Sequence, residues 1–254
     1  MNTGSDDGWN ASAHAWVAEQ GDAGDYGRRY ILDRPMVERI SNRGFGNALD
    51  VGCGEGRFCR TLREHSIYPV GIDPTSTLLD VARQRDPGGD YRLGRAETMD
   101  FGNEQFDLVV SYLSLIDIPD LAAGLTSMVA ALRPGGTLLI ANLNSFNTAG
   151  PPDGWTTALD GSPRYFIDDY LEERGNWVSW RGIRVLNWHR RSAHTWPCCW
   201  RRECSCGTLR SRSHMEATRR KLQDIAGFRG SMSWNGRGTR LERVPGHCPK
   251  RSTD

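Results

Sequence analysis

The sequence predicts an α/β protein built on a doubly wound, mostly parallel sheet. Short apolar runs alternate with helical patterns between residues 46 and 144, and this order produces parallel strands joined by right-handed crossovers. The first run, Asn47–Val51, leads directly into a glycine-rich turn and then a helix. Sheets of this class bind ligands at the carboxyl ends of their strands, so we expect the functional site there.

The turn after the first strand carries glycine at positions 52, 54 and 56. Glycine allows a ligand to approach the backbone closely and tolerates left-handed backbone angles. A dinucleotide fold needs a small residue at the third conserved position, where this chain has Arg57, and Asp50 suits a ligand with a positive ammonium. The spacing favours an adenosyl cofactor with an ammonium group over a pyrophosphate, and a plain tight connection remains the alternative.

The next elements extend the same pattern. Tyr68–Asp73 is a short apolar run, and its terminal acid lies about 20 residues beyond the first glycine, where an acid binds ribose hydroxyls. A helix cap formed with Pro74 and Thr75 is the alternative for this acid. Phe106–Tyr112 is a continuous β-branched run typical of a central parallel strand. Leu121–Leu132 has helical spacing, Arg133-Pro-Gly-Gly136 ends it, and residues 137–143 predict the next strand.

The glycine turn, Asp73 and Arg133-Pro-Gly-Gly136 together resemble the class I S-adenosylmethionine-dependent methyltransferases that act on small molecules. The resemblance covers roughly residues 12–190 and implies a Rossmann-like core, S-adenosylmethionine as cofactor and a small-molecule methyl acceptor. Cys53 is expected to be a small packing residue and not a nucleophile. The implied cofactor contacts are Asp50, Gly52, Cys53, Gly54, Asp73, Pro74, Ala96, Glu97, Ser111 and Tyr112.

The N-terminal part of the chain is similar to the helical lid of this family. Residues 1–11 are polar and predicted to be disordered, and residues 12–45 are predicted to form the lid. Trp16 and Tyr26 are candidates for the substrate pocket, and Arg29 is a candidate partner of the cofactor carboxylate. Aromatic residues at helical spacing also occur in ordinary cores, and that interpretation stays open.

Methyl transfer needs a nucleophile aligned with the methyl group and, for some acceptors, a base. Candidate bases are Tyr112, Asp117 and His189. Each has a structural alternative: Tyr112 as a wall of the adenine pocket, Asp117 as a loop cap and His189 as a surface residue. Residues 46–144 form the predicted cofactor-binding core, and residues 145–190 a substrate-side insertion that includes a hairpin turning at Arg181-Gly182.

Residues 191–254 differ in character from the rest of the chain. They contain 14 Lys or Arg and 5 Asp or Glu, whereas residues 1–190 contain 18 and 26. A zinc site is one interpretation, although the spacing of its potential ligands is poor, and a basic nucleic-acid arm is another. The potential zinc ligands are His194, Cys198, Cys199, Cys204, Cys206 and His214.

A reading-frame slip near Arg190 explains the excess of Trp, Cys and Arg in this tail. When the codons of Trp196-Pro-Cys-Cys-Trp200 are read from each third base, the genetic code requires Ala, then Leu, Met or Val, then Leu-Leu. These residues favour a helix. We therefore hypothesise that residues 191–254 are out of frame, and that the last strands of the sheet are missing or disordered.

The sequence thus predicts an enzyme that transfers a methyl group from S-adenosylmethionine to an O, N or C nucleophile of a small molecule. A cofactor-binding but catalytically dead protein and an NAD-dependent oxidoreductase are the alternatives. We expect a cytoplasmic protein without a membrane segment, because no leader or long apolar run is present. We also expect no metal and no nucleic-acid partner. The oligomeric state and the acceptor are not indicated by the sequence.

Overall fold

The computed structural model describes residues 7–150, 155–167 and 169–193. Its centre is a five-stranded sheet in the order β3-β2-β1-β4-β5, and every neighbouring pair is parallel. The strands are β1 (Asn47–Val51), β2 (Tyr68–Asp73), β3 (Asp90–Leu93), β4 (Phe106–Tyr112) and β5 (Leu132–Ala141). This arrangement confirms the predicted Rossmann-like, doubly wound fold.

Helices flank this sheet and precede it. They are α1 (Trp9–Gln20), α2 (Asp33–Ile40), α3 (Arg57–Glu64), α4 (Ser76–Arg85), α5 (Leu121–Ala130) and α6 (Ser145–Ala149), with a π-helical turn at Arg28–Leu32 and a 3-10 turn at Leu115–Asp117. None of the helices in the described ranges has the length and apolar character required to cross a bilayer.

The central strands are apolar because both faces of the sheet are covered. Along β4, Val109 packs into a cluster with residues of α5, while Leu108 and Val110 pack into a second cluster with residues of α2 and α3. All three side chains are fully buried. Alternate residues of a strand point to opposite faces, so the β-branched run Phe106–Tyr112 supplies both halves of the core.

The strand order reverses between β1 and β4, which places the glycine turn at the switch point of the sheet. The boundaries around β5 differ from prediction, because this strand runs from Leu132 to Ala141 and not over residues 137–143, and α5 ends at Ala130. A register shift opposite Phe106 and Leu108 accommodates Arg133-Pro-Gly-Gly136 as an irregularity within the strand. The signal that ends α5 therefore lies inside the following strand.

The predicted insertion contains two antiparallel pairs. Strands β6 (Trp155–Thr157) and β7 (Pro163–Tyr165) form one, and β8 (Arg174–Trp180) and β9 (Ile183–His189) form the other. The second pair turns at Arg181-Gly182, as predicted, and both turn residues have positive φ.

Helix α1 packs against β9. The Ser12 hydroxyl accepts from the Arg184 backbone N–H at 2.9 Å and donates to its carbonyl at 3.0 Å, while the Leu186 N–H donates to the Asp7 carbonyl at 2.9 Å. The prediction of disorder through residue 11 is wrong from Trp9 onward, because this docking provides the helix with tertiary partners. The described residues do not include residues 1–6 or the tail from residue 194. The potential zinc ligands and most of the segment assigned to the frame slip therefore lie outside them.

Candidate cofactor and methyl-transfer site

The carboxyl ends of β1, β2 and β4 bring the predicted cofactor residues to one edge of the sheet. The backbone N–H groups of Gly52 and Cys53 donate to the Ile72 carbonyl at 2.8 and 3.1 Å, which fastens the glycine turn to β2. The Gly54 N–H donates to the Asp73 carboxylate at 2.9 Å. The turn is thus held rigidly by the neighbouring strand before any ligand arrives.

Two of the glycines serve different purposes. Gly52 has φ +75°, and a Cβ atom there would lie 2.4 Å from the Cβ of Ser114, so this glycine permits close packing inside the protein. Gly54 has φ +55°, and no heavy atom lies within 4 Å of where its Cβ would stand. The open side of the turn at Gly54 is therefore where a ligand can approach the backbone.

Asp50 lies in β1 just before the glycine turn and is the most unusual group at this edge of the sheet. Its side chain is buried, and the Cys59 thiol donates to Oδ2 at 3.4 Å. Oδ1 has no hydrogen-bond partner among the described residues. Burial, together with the nearby charges of Asp73 and Glu55, raises the pKa of Asp50 to about 7. A buried carboxylate with an unused oxygen suits a cationic ligand such as an ammonium group.

Asp73 combines its two predicted roles. Its carboxylate accepts from the N–H groups of Gly54 and Thr75, the latter at 2.8 Å just before α4 begins, which is the cap-like alternative. Burial raises the pKa of Asp73. The Thr75 side chain also donates to this carboxylate, which leaves one lone pair that could accept from a ribose hydroxyl. Pro74 is half-buried beside this acid.

The segment after β3 holds the predicted adenine-side residues. Ala96 is buried in the core cluster with α5, and the Glu97 carbonyl accepts from the Ser127 hydroxyl at 3.4 Å. The Arg95 guanidinium lies between two acids, 3.7 Å from the carboxylate of Asp7 and 3.9 Å from that of Glu97. Arg95 therefore connects this segment to the start of α1.

At the end of β4, the predicted cofactor contacts are part of the scaffold. The fully buried Ser111 hydroxyl lies 2.7 Å from that of Ser114, which donates to the Val51 carbonyl at 2.6 Å. The Tyr112 hydroxyl donates to Asp33 at 2.8 Å, and burial raises the pKa of Tyr112 well above its usual value. This geometry argues against Tyr112 as the catalytic base, because its proton is held by a carboxylate.

Two adjacent arginines of the predicted lid, Arg28 and Arg29, have different surroundings. Arg29 is exposed and lies over the Tyr30 ring, whereas the side chain of Arg28 is only 13% exposed and pairs with Asp25. The Arg28 guanidinium lies 5.0 Å from the Trp16 ring centroid and 5.7 Å from that of Tyr112. The π-helical turn at Arg28–Leu32 changes which side chain faces inward, and helical spacing does not reveal such a turn.

The two aromatic residues predicted for the substrate pocket lie in the lid. Trp16 packs edge-to-face with Trp9 and Trp180, at ring-centroid distances of 5.2 and 6.4 Å, so it connects α1 to the β8–β9 hairpin. Tyr26 packs against Tyr30 at 4.8 Å. These contacts account for the aromatic pattern as lid packing, and a substrate contact by either ring stays a prediction.

Asp117 lies in the turn that follows β4, where β9 and α1 meet it. Its carboxylate accepts from the Asn187 amide at 2.6 Å and from the Trp9 indole N–H. Burial, with the charges of Asp73 and Asp7, raises the pKa of Asp117 to about 8. This carboxyl is oriented by two neutral donors and titrates near neutral pH, as a base that acts near that pH requires.

His189, the third candidate base, is buried and not a surface residue. Its Nε2 lies 2.9 Å from the Tyr170 carbonyl, and its Nδ1 lies 2.8 Å from the Thr148 hydroxyl. A carbonyl only accepts, so Nε2 carries a proton and donates it to Tyr170. Both nitrogens are engaged, and the ring serves to attach β9 to α6.

Sequence reasoning missed three residues at this site. Trp9 and Asn187 donate to the Asp117 carboxylate. Asp33 accepts from the Tyr112 hydroxyl and from the Arg57 guanidinium, the latter at 3.1 Å. Trp9 was within the segment predicted to be disordered, and Asn187 reads as an ordinary strand residue. Arg57 at the third conserved position of the turn was a usable signal, because a charged residue there needs a partner.

A shallow cleft lies beside the Asp117 turn. Asn142, just after β5, contributes a buried Oδ1 for which the described residues supply no hydrogen-bond partner. The other lining residues are mainly apolar and come from the turn, the start of α5, the segment before α6, α6 itself and the end of β9 with the residue after it: Leu115, Ile116, Leu121, Leu143, Ser145, Thr148, Trp188 and Arg190.

Known proteins similar to this chain are methyltransferases. Residues 49–140 match a family model described as a methyltransferase domain. The chain is 33% identical over 137 residues to malonyl-[acyl-carrier protein] O-methyltransferase of Serratia marcescens, covering 52% of this chain and 54% of that protein. It is 33% identical over 100 residues to ubiquinone biosynthesis O-methyltransferase of Bradyrhizobium sp. (strain ORS 278), covering 38% and 39%. The chain thus spans about half the length of the first of these relatives and less of the second.

A solved structure resembles a larger part of the chain. The crystal structure of an S-adenosylmethionine dependent methyltransferase from Mesorhizobium loti aligns with a TM-score of 0.67 at 25% identity. The alignment covers 82% of this chain and 94% of the Mesorhizobium chain, so it reaches well beyond the matched domain.

Proposed function

We propose that this chain, whose residues 49–140 match a methyltransferase domain, is a class I S-adenosylmethionine-dependent methyltransferase that transfers the cofactor methyl group to a nucleophilic O, N or C atom of a small molecule. The observation that carries this proposal is the buried Asp50 with its unused Oδ1, next to the open backbone at Gly54. This pair matches a ligand that combines an ammonium with an uncharged adenosyl group. It does not match the pyrophosphate of NAD, which would meet a carboxylate in the turn.

We assign a different group of the cofactor to each residue of the site. Asp50 would receive the ammonium, and the remaining lone pair of Asp73 would accept from a ribose hydroxyl. Ala96 and Glu97 would border the adenine. Arg28 replaces Arg29 as the candidate for the carboxylate, because it is the arginine turned toward Tyr112. When bound, the cofactor supplies an electrophilic methyl group, so the protein mainly needs to align the acceptor and exclude water.

Asp117 is the residue we propose as proton acceptor. Its pKa of about 8 leaves it about one-tenth ionised at pH 7, and the ionised fraction grows as the pH rises. Asn187 and Trp9 donate to the carboxylate and would hold it in place as it takes up a proton. Both relatives are named O-methyltransferases, which favours an oxygen acceptor whose proton must be removed.

Two experiments test this function in sequence. Calorimetric titration with S-adenosylhomocysteine and with NAD should show saturable binding of the first only, and the reverse result would overturn the cofactor assignment. Release of S-adenosylhomocysteine would then be measured with a panel of phenols, carboxylic acids and amines. Binding without turnover on a frame-restored chain would favour the catalytically dead alternative.

A further inference from the structure

Arg190 follows the last residue of β9 and reaches back to the turn that carries Asp117. Its Nη1 donates to the Leu115 carbonyl at 3.1 Å, and its Nη2 donates to the carbonyls of Pro119, at 2.8 Å, and Ile118. The turn and the arginine are more than 70 residues apart in the chain. One guanidinium therefore binds three backbone carbonyls on both sides of Asp117.

The turn needs such a partner because it is short and irregular. Leu113 has φ +61°, and only the single 3-10 turn Leu115–Asp117 follows it. Most carbonyls of this segment therefore accept no hydrogen bond within a helix. Arginine is suited to this task, since its planar fork presents several fixed N–H groups and lysine presents one flexible ammonium. The Trp188 ring lies 5.4 Å from the guanidinium and supports it from one face.

The charge of Arg190 is held by neutral groups. Burial lowers the pKa of Arg190, and no ion pair within 4 Å involves it among the described residues. The acids that act on it through space are Glu173, Asp120, Glu97 and Asp117. The contacts that define its position are therefore the three carbonyls.

We infer that Arg190 is a positioning residue that fixes the turn so that Asp117 stays in place for methyl transfer. Strand β9 then holds this turn at two points, since Arg190 binds its backbone and Asn187 binds the Asp117 carboxylate. The inference rests on the proposed role of Asp117. It assigns a function to a residue at the boundary where the sequence changes character.

The groups around Asp117 allow a test that distinguishes a positioning role of Arg190 from the electrostatic effect of its charge on Asp117. Asp117 faces Asp73 from β2 and Asp7 from the start of α1, with the neutral donors Trp9 and Asn187. Loss of the positive charge of Arg190 alone would raise the pKa of Asp117. Release of the turn into water would lower that pKa toward 3.8, because burial is its largest cause.

The test is a pH titration of ¹³C-labelled Asp carboxyls by NMR, with the Asp117 signal assigned by its loss in Asp117→Asn. Arg190→Lys keeps the charge but not the fork, and Arg190→Met removes both. We expect the Asp117 midpoint near pH 8 in the wild type and at least one unit lower in both variants. An unchanged midpoint in Arg190→Lys, or a higher one in Arg190→Met, would overturn the inference.

Arg191→Lys is the matched control, since Arg191 pairs with Glu173 outside the turn, and it should leave the Asp117 midpoint unchanged. Hydrogen exchange at the Asp117 amide, which donates to the Ser114 carbonyl at 3.0 Å, gives a second readout. We expect faster exchange in Arg190→Lys than in Arg191→Lys, and equal rates would contradict the inference. Neither readout needs a cofactor, so failure of S-adenosylhomocysteine binding would overturn the proposed function and leave this test standing.

Discussion

Replacement of Asp50 by Asn should weaken cofactor binding and remove its dependence on pH. The pKa of Asp50 is raised to about 7, so at pH 6 most of the free protein carries a neutral carboxyl. Binding an ammonium requires the ionised form, and each pH unit below the pKa costs about 1.4 kcal/mol. The wild type should therefore bind about tenfold more weakly at pH 6 than at pH 8.

The same substitution should stabilise the free protein. For a carboxyl whose folded pKa is raised from 3.8 to about 7, the folded state binds the proton more tightly than the unfolded state. Its contribution to stability is present below pH 3.8 and is lost as the pH rises to 7, at a cost of up to about 4 kcal/mol. Asparagine avoids this loss, although it gives up the charge-assisted bond from Cys59.

Calorimetry with S-adenosylhomocysteine, which has the same ammonium group, measures the binding effect. Titrations at pH 6, 7 and 8 in two buffers of different protonation enthalpy would give both affinity and proton release. Asp80→Asn is the control, because Asp80 is an exposed acid on α4. If Asp50→Asn bound with wild-type affinity and the same pH dependence, the assignment of the ammonium to Asp50 would be wrong.

Four further predictions concern other parts of the molecule. Gly52→Ala should destabilise the protein by more than about 3 kcal/mol in urea unfolding, because of its clash with Ser114, whereas Gly44→Ala, at φ +72° in open space, should cost about 1 kcal/mol. Asp117→Asn should reduce methyl transfer by about 100-fold or more. A pKa of about 8 makes thermal stability fall between pH 6 and pH 8, and this fall should be smaller in Asp117→Asn. Equal slopes of stability against pH in the wild type and the variant would refute this. Arg57→Met should loosen the lid, detected as faster proteolysis within α2, since it removes the pair with Asp33. Sequencing the coding DNA across codons 185–195 should reveal the frame slip, and early stop codons in the alternative frame would exclude it.

The sequence was most informative where the local backbone geometry or burial restricts the residue types that a position can carry. The glycine turn needs positive φ at Gly52 and Gly54, and no other residue adopts such angles at so little cost. The β-branched run of β4 needs two covered faces, so its composition alone identifies a central strand. These signals were sufficient for the fold, the cofactor class and the position of Asp50 and Asp73.

The residues of the lid could not be assigned in the same way. Arg28 and Arg29 are adjacent and chemically identical, and only the π-helical turn decides which one faces Tyr112. His189 and Tyr112 were plausible bases by type, but their polar atoms are engaged by Tyr170, Thr148 and Asp33. Local sequence patterns do not predict hydrogen bonds between residues that are far apart in the chain.

The sequence by itself therefore determined the parallel sheet, the glycine turn and the acids at its edge, because each depends on backbone angles or periodicity within a few residues. Only the tertiary structure decided which side chains remain available for chemistry. Asp117 became the strongest candidate base because Trp9, Asn187 and Arg190, which lie more than 65 residues from it, converge on its turn. Burial and pairing arise from the folded neighbours of a group, and burial raises the pKa of a carboxyl such as Asp117 above its ordinary value.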